Sequence, residues 1–371
     1  MINIGHFSRQ RVTYQLLPVA GQMFTLASTD RFRTMQPPRD CTFTTTDWSV
    51  LASFWYPVAF SHEVRASPLA VRLLDERIAL FRLADGEVNA ASDLCIHRGA
   101  PISLGTIEGD EIICKYHGLR YDKCGTCTLI PAQPGSTSSR LKLKMYQSCE
   151  RYGLVWVRLA TDRDARFPEF DEWNDPSFIQ VLPNAIELSA AAGRQVEGFL
   201  DVSHFAFIHQ ATFGETNNTL VPNYPVEVTP GGFRANYVST VSNYPTHLKH
   251  LNPPGFKWRR LFEVFLPFTA KLTVTFPNGR LVILNAASPV SARKTKVFCP
   301  ICRDFDKDAP LEDTLDFNHQ VFDEDKAIVE SQHPEDLPLD LSAEAHITAD
   351  KSSITYRKLL AGLGLGRSYT T

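Results

Sequence analysis

The sequence predicts an α+β chain, a small all-β domain followed by a larger domain that mixes strands with two helical segments. Three observations predict it. From Trp48 to Leu159 short apolar runs such as IALFRLA and GLVWVRLA are separated by turn residues, which is the pattern of a small antiparallel β domain. Beyond it a strand signal, PSFIQVL, leads into the helical stretch around Glu197, and further strands follow in LFEVFL, KLTVTF and RLVILNA. A late helical segment covers FDEDKAIVES, and the GLGLG after it reads as a helix C-cap, because it follows no strand and opens no helix.

Size and composition fit this division. A chain of 371 residues with 43% hydrophobic and 21% charged residues fills more than one core, and two domains are expected, 48–160 and 161–371, after an N-terminal extension over 1–47. The extension carries Arg9 and Arg11 before a weakly apolar run but lacks a small-residue cleavage site, so it reads as uncleaved rather than as an export signal, with Met35 as an alternative start. The net charge of −3 comes from mixed signs without a basic stripe, so no nucleic acid is expected. No apolar run approaches the length of a membrane span. Eight cysteines without a secretory leader point to a reducing, cytoplasmic setting and to metal or thiol roles over disulfides.

Spacing selects which cysteines carry chemistry. Cys95 and His97 stand in CIHRGAP, Cys114 and His117 in CKYHGLRYD, with sixteen residues between the two pairs. Each loop supplies one thiolate and one imidazole, and two such loops can close on one centre. This is the donor set of a [2Fe–2S] cluster in which two histidines replace two cysteines on one iron, raising its potential and suiting it to one-electron relay. A Cys₂His₂ zinc site has the same inventory but pairs like with like. Cys124 with Cys127 and Cys299 with Cys302 form C-x-x-C pairs without partners at metal spacing, and read as packing residues.

The segment EGFLDVSHFAFIH collects Glu197, Asp201, His204 and His209. Two histidines and a carboxylate suit a mononuclear iron with open positions, and a third ligand must come from elsewhere. A separation of five turns one histidine about 140° from the other on a regular helix, so convergence requires a π-type turn or a helix end between them. Asp201, three before His204, is placed to accept a proton from that ring.

These two segments, in this order, resemble the oxygenase components of Rieske non-heme iron oxygenases over Trp48 to about Leu363. The resemblance implies a Rieske [2Fe–2S] domain followed by an antiparallel-sheet, helix-grip catalytic domain. It implies His204 and His209 as ligands of a mononuclear Fe(II), Asp201 as the link to a neighbouring subunit's cluster, and Asp325 as third ligand with Asp323 as fallback. The family often has asparagine where this chain has Glu197, which is expected to point into solvent, and Lys115, where proline is common, is expected on the surface. Also implied are dioxygen, a separate NAD(P)H-dependent reductase or ferredoxin, and a homotrimer. The stretch VESQHPEDLPLD looks closest to the single-subunit-type demethylase and monooxygenase branch, which hydroxylates or N- or O-demethylates a small aromatic or heterocyclic substrate. Ring dihydroxylation, an iron-free electron-transfer or ligand-binding protein, and a zinc hydrolase are the alternatives.

Overall fold

In the computed structural model, residues 36–366 apart from 137 and 164 are described. The expected extension lies mostly outside these residues, and so does the alternative start at Met35. The expected domain start, Trp48, lies inside helix α1, Thr45–Leu51, whose Thr44 cap accepts a hydrogen bond from the Asp47 N–H.

Ten strands follow: β1 Tyr56–Phe60, β2 Leu69–Leu73, β3 Glu76–Arg82, β4 Val88–Ser92, β5 Thr106–Glu108, β6 Glu111–Ile113, β7 Arg120–Tyr121, β8 Cys127–Leu129, β9 Met145–Arg151 and β10 Leu154–Arg158. They form two antiparallel sheets, one ordered β1-β10-β9-β4-β3-β2 and one β5-β6-β7-β8. The runs IALFRLA and GLVWVRLA become β3 and β10, and every residue of β10 is buried. A strand covered on both faces reads as a continuous apolar run rather than an alternating one. The smaller sheet has its own core, where Ile102, Ile112, Leu119 and Tyr121 pack around Cys95, Cys114 and Cys127.

Nine more strands build the second sheet system: β11 Ile179–Val181, β12 Ile186–Leu188, β13 Val226–Thr229, β14 Gly232–Ser239, β15 Trp258–Phe265, β16 Thr269–Phe276, β17 Gly279–Ser291, β18 Lys294–Phe298 and β19 Ile301–Arg303. Their order is β11-β19-β17-β16-β15-β14-β13, with β18 joining β17 to β12. Along β15 Trp258, Arg260, Phe262 and Val264 are buried and their neighbours less so, which is the period-two pattern of a sheet with one face on a core. Helices α2 Ala192–Leu200, α4 Leu311–Ser331 and α5 Lys351–Gly362 complete the same apolar core, and Phe199 of α2 meets Phe262 edge-on at 6.1 Å. Phe60 and Trp156 of the first sheet pack with Val282, Leu284 and Phe298 of the second. The C-cap expected at GLGLG is present, with Leu363 as the cap and Gly364 at φ 90°.

Candidate metal centres

The two cysteine–histidine loops are copies of one turn. In the first, the Gly99 N–H donates to the Cys95 carbonyl at 2.9 Å and the Cys95 N–H to the Ala100 carbonyl at 2.8 Å; in the second, Gly118 donates to Cys114 and Cys114 to Leu119, both at 2.9 Å. Each turn closes through glycine in the left-handed region, at φ 74° and 69°, which accounts for the glycine two and one residues after the histidines. Cys95 and Cys114 are buried, His97 is half-buried and His117 is exposed, so the thiols lie deeper than the imidazoles. The His97 and His117 rings approach to 4.5 Å between centroids, and His97 Nδ1 is buried without a partner. Burial, reinforced by neighbouring Cys95, raises the Cys114 thiol. Two buried sulfurs and an orphaned imidazole nitrogen fit a cluster that takes thiolates on one iron and imidazoles on the other. Tyr121 adds a contact that the spacing did not show: its hydroxyl lies 3.2 Å from Cys95 Sγ.

The second centre depends on a helix that stops. Helix α2 ends at Asp201, whose Oδ1 accepts from both the N–H and the hydroxyl of Ser203 at 2.7 Å. Such an aspartate turn competes with the next helical hydrogen bonds and ends the helix. A new one-turn helix, α3, then covers Phe205–Ile208 with His204 and His209 at its two ends. The required break is therefore a helix end, and Asp201 reaches His204 from a cap rather than from a shared helical face.

From this turn His204 Nε2 and His209 Nε2 point at each other, 3.0 Å apart, and Asp325 Oδ1 of α4 lies 3.5 and 3.3 Å from them. Each ring turns its Nδ1 to another carboxylate, His204 to Asp201 Oδ2 at 3.3 Å and His209 to Glu324 Oε2 at 2.8 Å. A neutral imidazole has one N–H. With both protons on Nδ1, two nitrogen lone pairs and a carboxylate oxygen converge with no proton donor among them. Three ligands at about 2.1 Å from one ion and at roughly right angles would stand about 3.0 Å apart, so the spacing fits a facial triad.

Electrostatics agree with this donor set. Burial and the proximity of His204 push the His209 imidazole down to about 4, leaving it a neutral donor. Burial opposes protonation of His204 most strongly, but the hydrogen bond and charge of Asp201 together with the charge of Asp325 outweigh it and hold the ring above its ordinary value. Burial raises the Asp325 carboxyl to about 6, with Glu324 and Asp201 adding to the effect and His204 opposing it.

Of the expected site residues, Asp325 joins the two histidines and the fallback Asp323 does not, because it is exposed on α4. Glu197 corrects the expectation of a solvated side chain. It is buried, gripped by Arg357 at 2.6 and 2.8 Å, and Arg357 and Arg194 both also bind Glu344 at 2.7 and 2.9 Å. A pairing cation 160 residues away in sequence is what the local pattern could not show. Lys115 is exposed, as expected. None of the described cysteines forms a disulfide, and Cys299 and Cys302 are core residues.

A pair of cysteine–histidine loops with buried thiols and a separate two-histidine, one-carboxylate cluster have the donor sets of an iron-dependent oxidoreductase. Residues 54–147 match the Rieske [2Fe-2S] domain, and residues 188–365 match the vanillate O-demethylase oxygenase C-terminal domain. Over 325 residues the chain is 37% identical to the methylxanthine N1-demethylase NdmA of Pseudomonas putida, spanning 84% of this chain and 89% of that one. The N3-demethylase NdmB of the same organism is 30% identical over 326 residues, with the same two shares. The solved structure of NdmA with caffeine superposes with a TM-score of 0.77 at 36% identity, covering 85% of this chain and 92% of that one. The chain belongs to the Rieske non-heme iron oxygenases, in the branch of demethylases and monooxygenases. Its Rieske domain supports a [2Fe–2S] cluster, and no described helix is long and apolar enough to cross a membrane.

Proposed function

We propose that this oxygenase oxidises a methyl group on a small aromatic or heterocyclic molecule, the carbon leaving as formaldehyde, with electrons supplied by a separate NAD(P)H-dependent reductase or ferredoxin. In this reading Cys95, His97, Cys114 and His117 hold the cluster, and His204, His209 and Asp325 hold a mononuclear Fe(II). The single observation that carries it is the convergence of the two Nε2 atoms and Asp325 Oδ1 on one point, with each imidazole Nδ1 turned to another carboxylate. Bound there, a ferrous ion with open positions supplies dioxygen activation.

The chain's own groups do the rest. Asp201 and Glu324 fix the histidine tautomers so that both Nε2 atoms face inward. Phe317, packed on the main core, lines a cavity together with Ala211, Thr212, Pro245 and Leu248; this lining begins two residues after His209 and gives a ring a partly apolar surface. Asn318 lies seven residues before Asp325, on nearly the same face of α4, and its buried Nδ2 has no partner among the described residues. A heterocycle carrying a carbonyl or ring-nitrogen acceptor would satisfy that amide. Demethylation of methylxanthines by the 37%-identical relative supports a neutral heterocycle over a charged acid.

Asp201 is also the proposed bridge between the cluster of one subunit and the iron of the next in a homotrimer. Two observations support this: its side chain keeps 32% of its exposure, and the cluster loops present Leu94, Ile96, Leu104 and Tyr116, each at least half exposed, as a surface suited to a second copy.

Iron and acid-labile sulfide per chain in anaerobically purified protein test the metal assignment. About three irons with two sulfides support it; about two irons with two sulfides, unchanged after Fe(II) is added back, would leave an electron-transfer or binding protein. Formaldehyde release from methylated heterocycles, with a reductase present, separates demethylation from ring dihydroxylation.

A further inference from the structure

We propose that Glu324 is a positioning residue for the iron site: it holds the His209 ring in the tautomer and rotation that aim Nε2 at the metal, and Thr212 holds Glu324. This rests on the reading of His209 as a ligand given above. Glu324 Oε2 lies 2.8 Å from His209 Nδ1 and accepts the Thr212 hydroxyl at 2.6 Å, so one carboxylate oxygen is fixed from two directions. The His209 side chain is almost fully buried and that of Glu324 keeps 13% of its exposure. No other partner of His209 Nδ1 occurs among the described residues, so without Glu324 the Nδ1 proton would face an apolar surround or move to Nε2, where it would block the metal position.

The placement of Glu324 gives it a second consequence. It precedes Asp325 on α4, so two successive side chains of one helix diverge by about 100° and serve different parts of one centre. Asp325 points at both Nε2 atoms, while Glu324 passes behind His209 to its far nitrogen. Helix α4 thereby sets the third ligand and the orientation of the second together, and α3 need not hold His209 unaided. His204 has no matching clamp from α4. Its Nδ1 partner is Asp201, at the longer distance of 3.3 Å, from the chain segment just before it.

The test is metal affinity, measured by titrating Co(II) into full-length protein with its cluster intact and its mononuclear site stripped, together with the visible absorption of the bound ion. Glu324→Ala should weaken Co(II) binding by about 10–100-fold and alter its ligand-field bands. Glu324→Gln should stay within about tenfold of the parent and keep the bands, because an amide oxygen still accepts from Nδ1–H. Asp323→Ala, one residue away and exposed, should change neither. A merely structural role predicts instead that both Glu324 variants lose thermal stability while Co(II) affinity holds in the fraction that stays folded. Wild-type affinity in Glu324→Ala, or an equal loss in Gln and Ala, overturns the proposal. His209→Ala separates the two layers: if it binds Co(II) as the parent does, the ligand assignment is what fails; if it does not, the behaviour of the Glu324 variants tests the clamp alone.

Discussion

At the scale of single residues, protons compete with the proposed iron for the same atoms. Asp325 titrates near 6 in the metal-free site because burial penalises its charge, whereas an exposed aspartate titrates near 4. A metal takes the ionised form, so lowering the pH through 6 makes each binding event displace a proton. Affinity should fall as the pH drops through the range where His204, held above its ordinary value, protonates, and more steeply below 6, where Asp325 takes up a proton as well. The same shift has the opposite sign for the empty fold. With the folded value above the unfolded one, the carboxyl costs stability when ionised, and that cost disappears as the pH falls from about 6 towards 4. Zn(II) titrations at pH 5, 6 and 7 check this, and an affinity that does not change over that range would remove Asp325 from the ligand set. Tyr121 acts on the other centre. Burial and the adjacent Cys95 keep its hydroxyl protonated, so it can donate to the Cys95 sulfur, and that bond favours the more negative, reduced cluster. Tyr121→Phe should lower the midpoint potential by roughly 40 mV, the one-electron equivalent of about 1 kcal/mol. A potentiometric titration followed by electron paramagnetic resonance reads the shift directly, and an unchanged potential would mean that the hydroxyl donates elsewhere.

At the scale of elements, the histidine turn is held from both sides. Gly214 N–H donates to the His209 carbonyl at 2.6 Å, and a Cβ on Gly214 would collide with the Phe205 carbonyl oxygen and come within 2.8 Å of the His209 carbonyl. Gly214→Ala should therefore displace α3 and cost the mononuclear site its iron while leaving the cluster loaded, which iron and sulfide analysis would show; full iron content would mean the turn yields without losing the triad. Behind the turn, Arg357 of α5 ties α2 through Glu197. Arg357→Met removes the closer of the two arginines that pair with buried Glu197, leaving Arg194 at 3.7 Å, and should destabilise the protein by about 3 kcal/mol, with part of the loss recovered in Glu197→Gln/Arg357→Met. Chemical denaturation of both variants measures it. The difference between Glu197 and Asp325 shows what was legible in the sequence. Cys95, His97, Cys114 and His117 are readable because each loop carries its chemistry within a few residues, and the glycine that closes each turn is in the same string. The helix end required between His204 and His209 follows from helical geometry alone, whereas the aspartate turn at Asp201 and Ser203, which ends α2 ahead of His204, was in plain view and went unread. The partners of Glu197 and His209 are not local. Arg357 stands 160 residues from Glu197 and Glu324 stands 115 from His209, and only the packing of α4 and α5 against α2 and α3 brings them together. Glu324 was hidden in addition by two acidic neighbours of the same charge.

For the whole molecule, the alternation of strands and helices was legible, since each sheet buries runs of matching period, and the proposed homotrimer rests on the surface those elements present. The cluster loops end in exposed apolar side chains with His117 among them, and Asp201 keeps part of its surface on the far side of the His204 ring. If each cluster serves the iron of the next subunit, the two centres of one chain need not cooperate at all. That makes a specific prediction for mixed assemblies. His117→Ala, without a functional cluster, and Asp325→Ala, without the mononuclear iron, should each be inactive alone. Coexpressed in equal amounts and assembled at random, about one directed contact in four pairs an intact cluster with an intact iron, so activity should return to roughly a quarter of the parent's. Asp201→Asn placed on the His117→Ala subunit should abolish the recovery, because that subunit supplies the receiving iron; placed on the Asp325→Ala subunit it should not, because there it faces no working iron. Recovery near zero in the mixture, with both variants folded and trimeric, would mean that electrons pass within one chain and that the exposed apolar loops serve another partner.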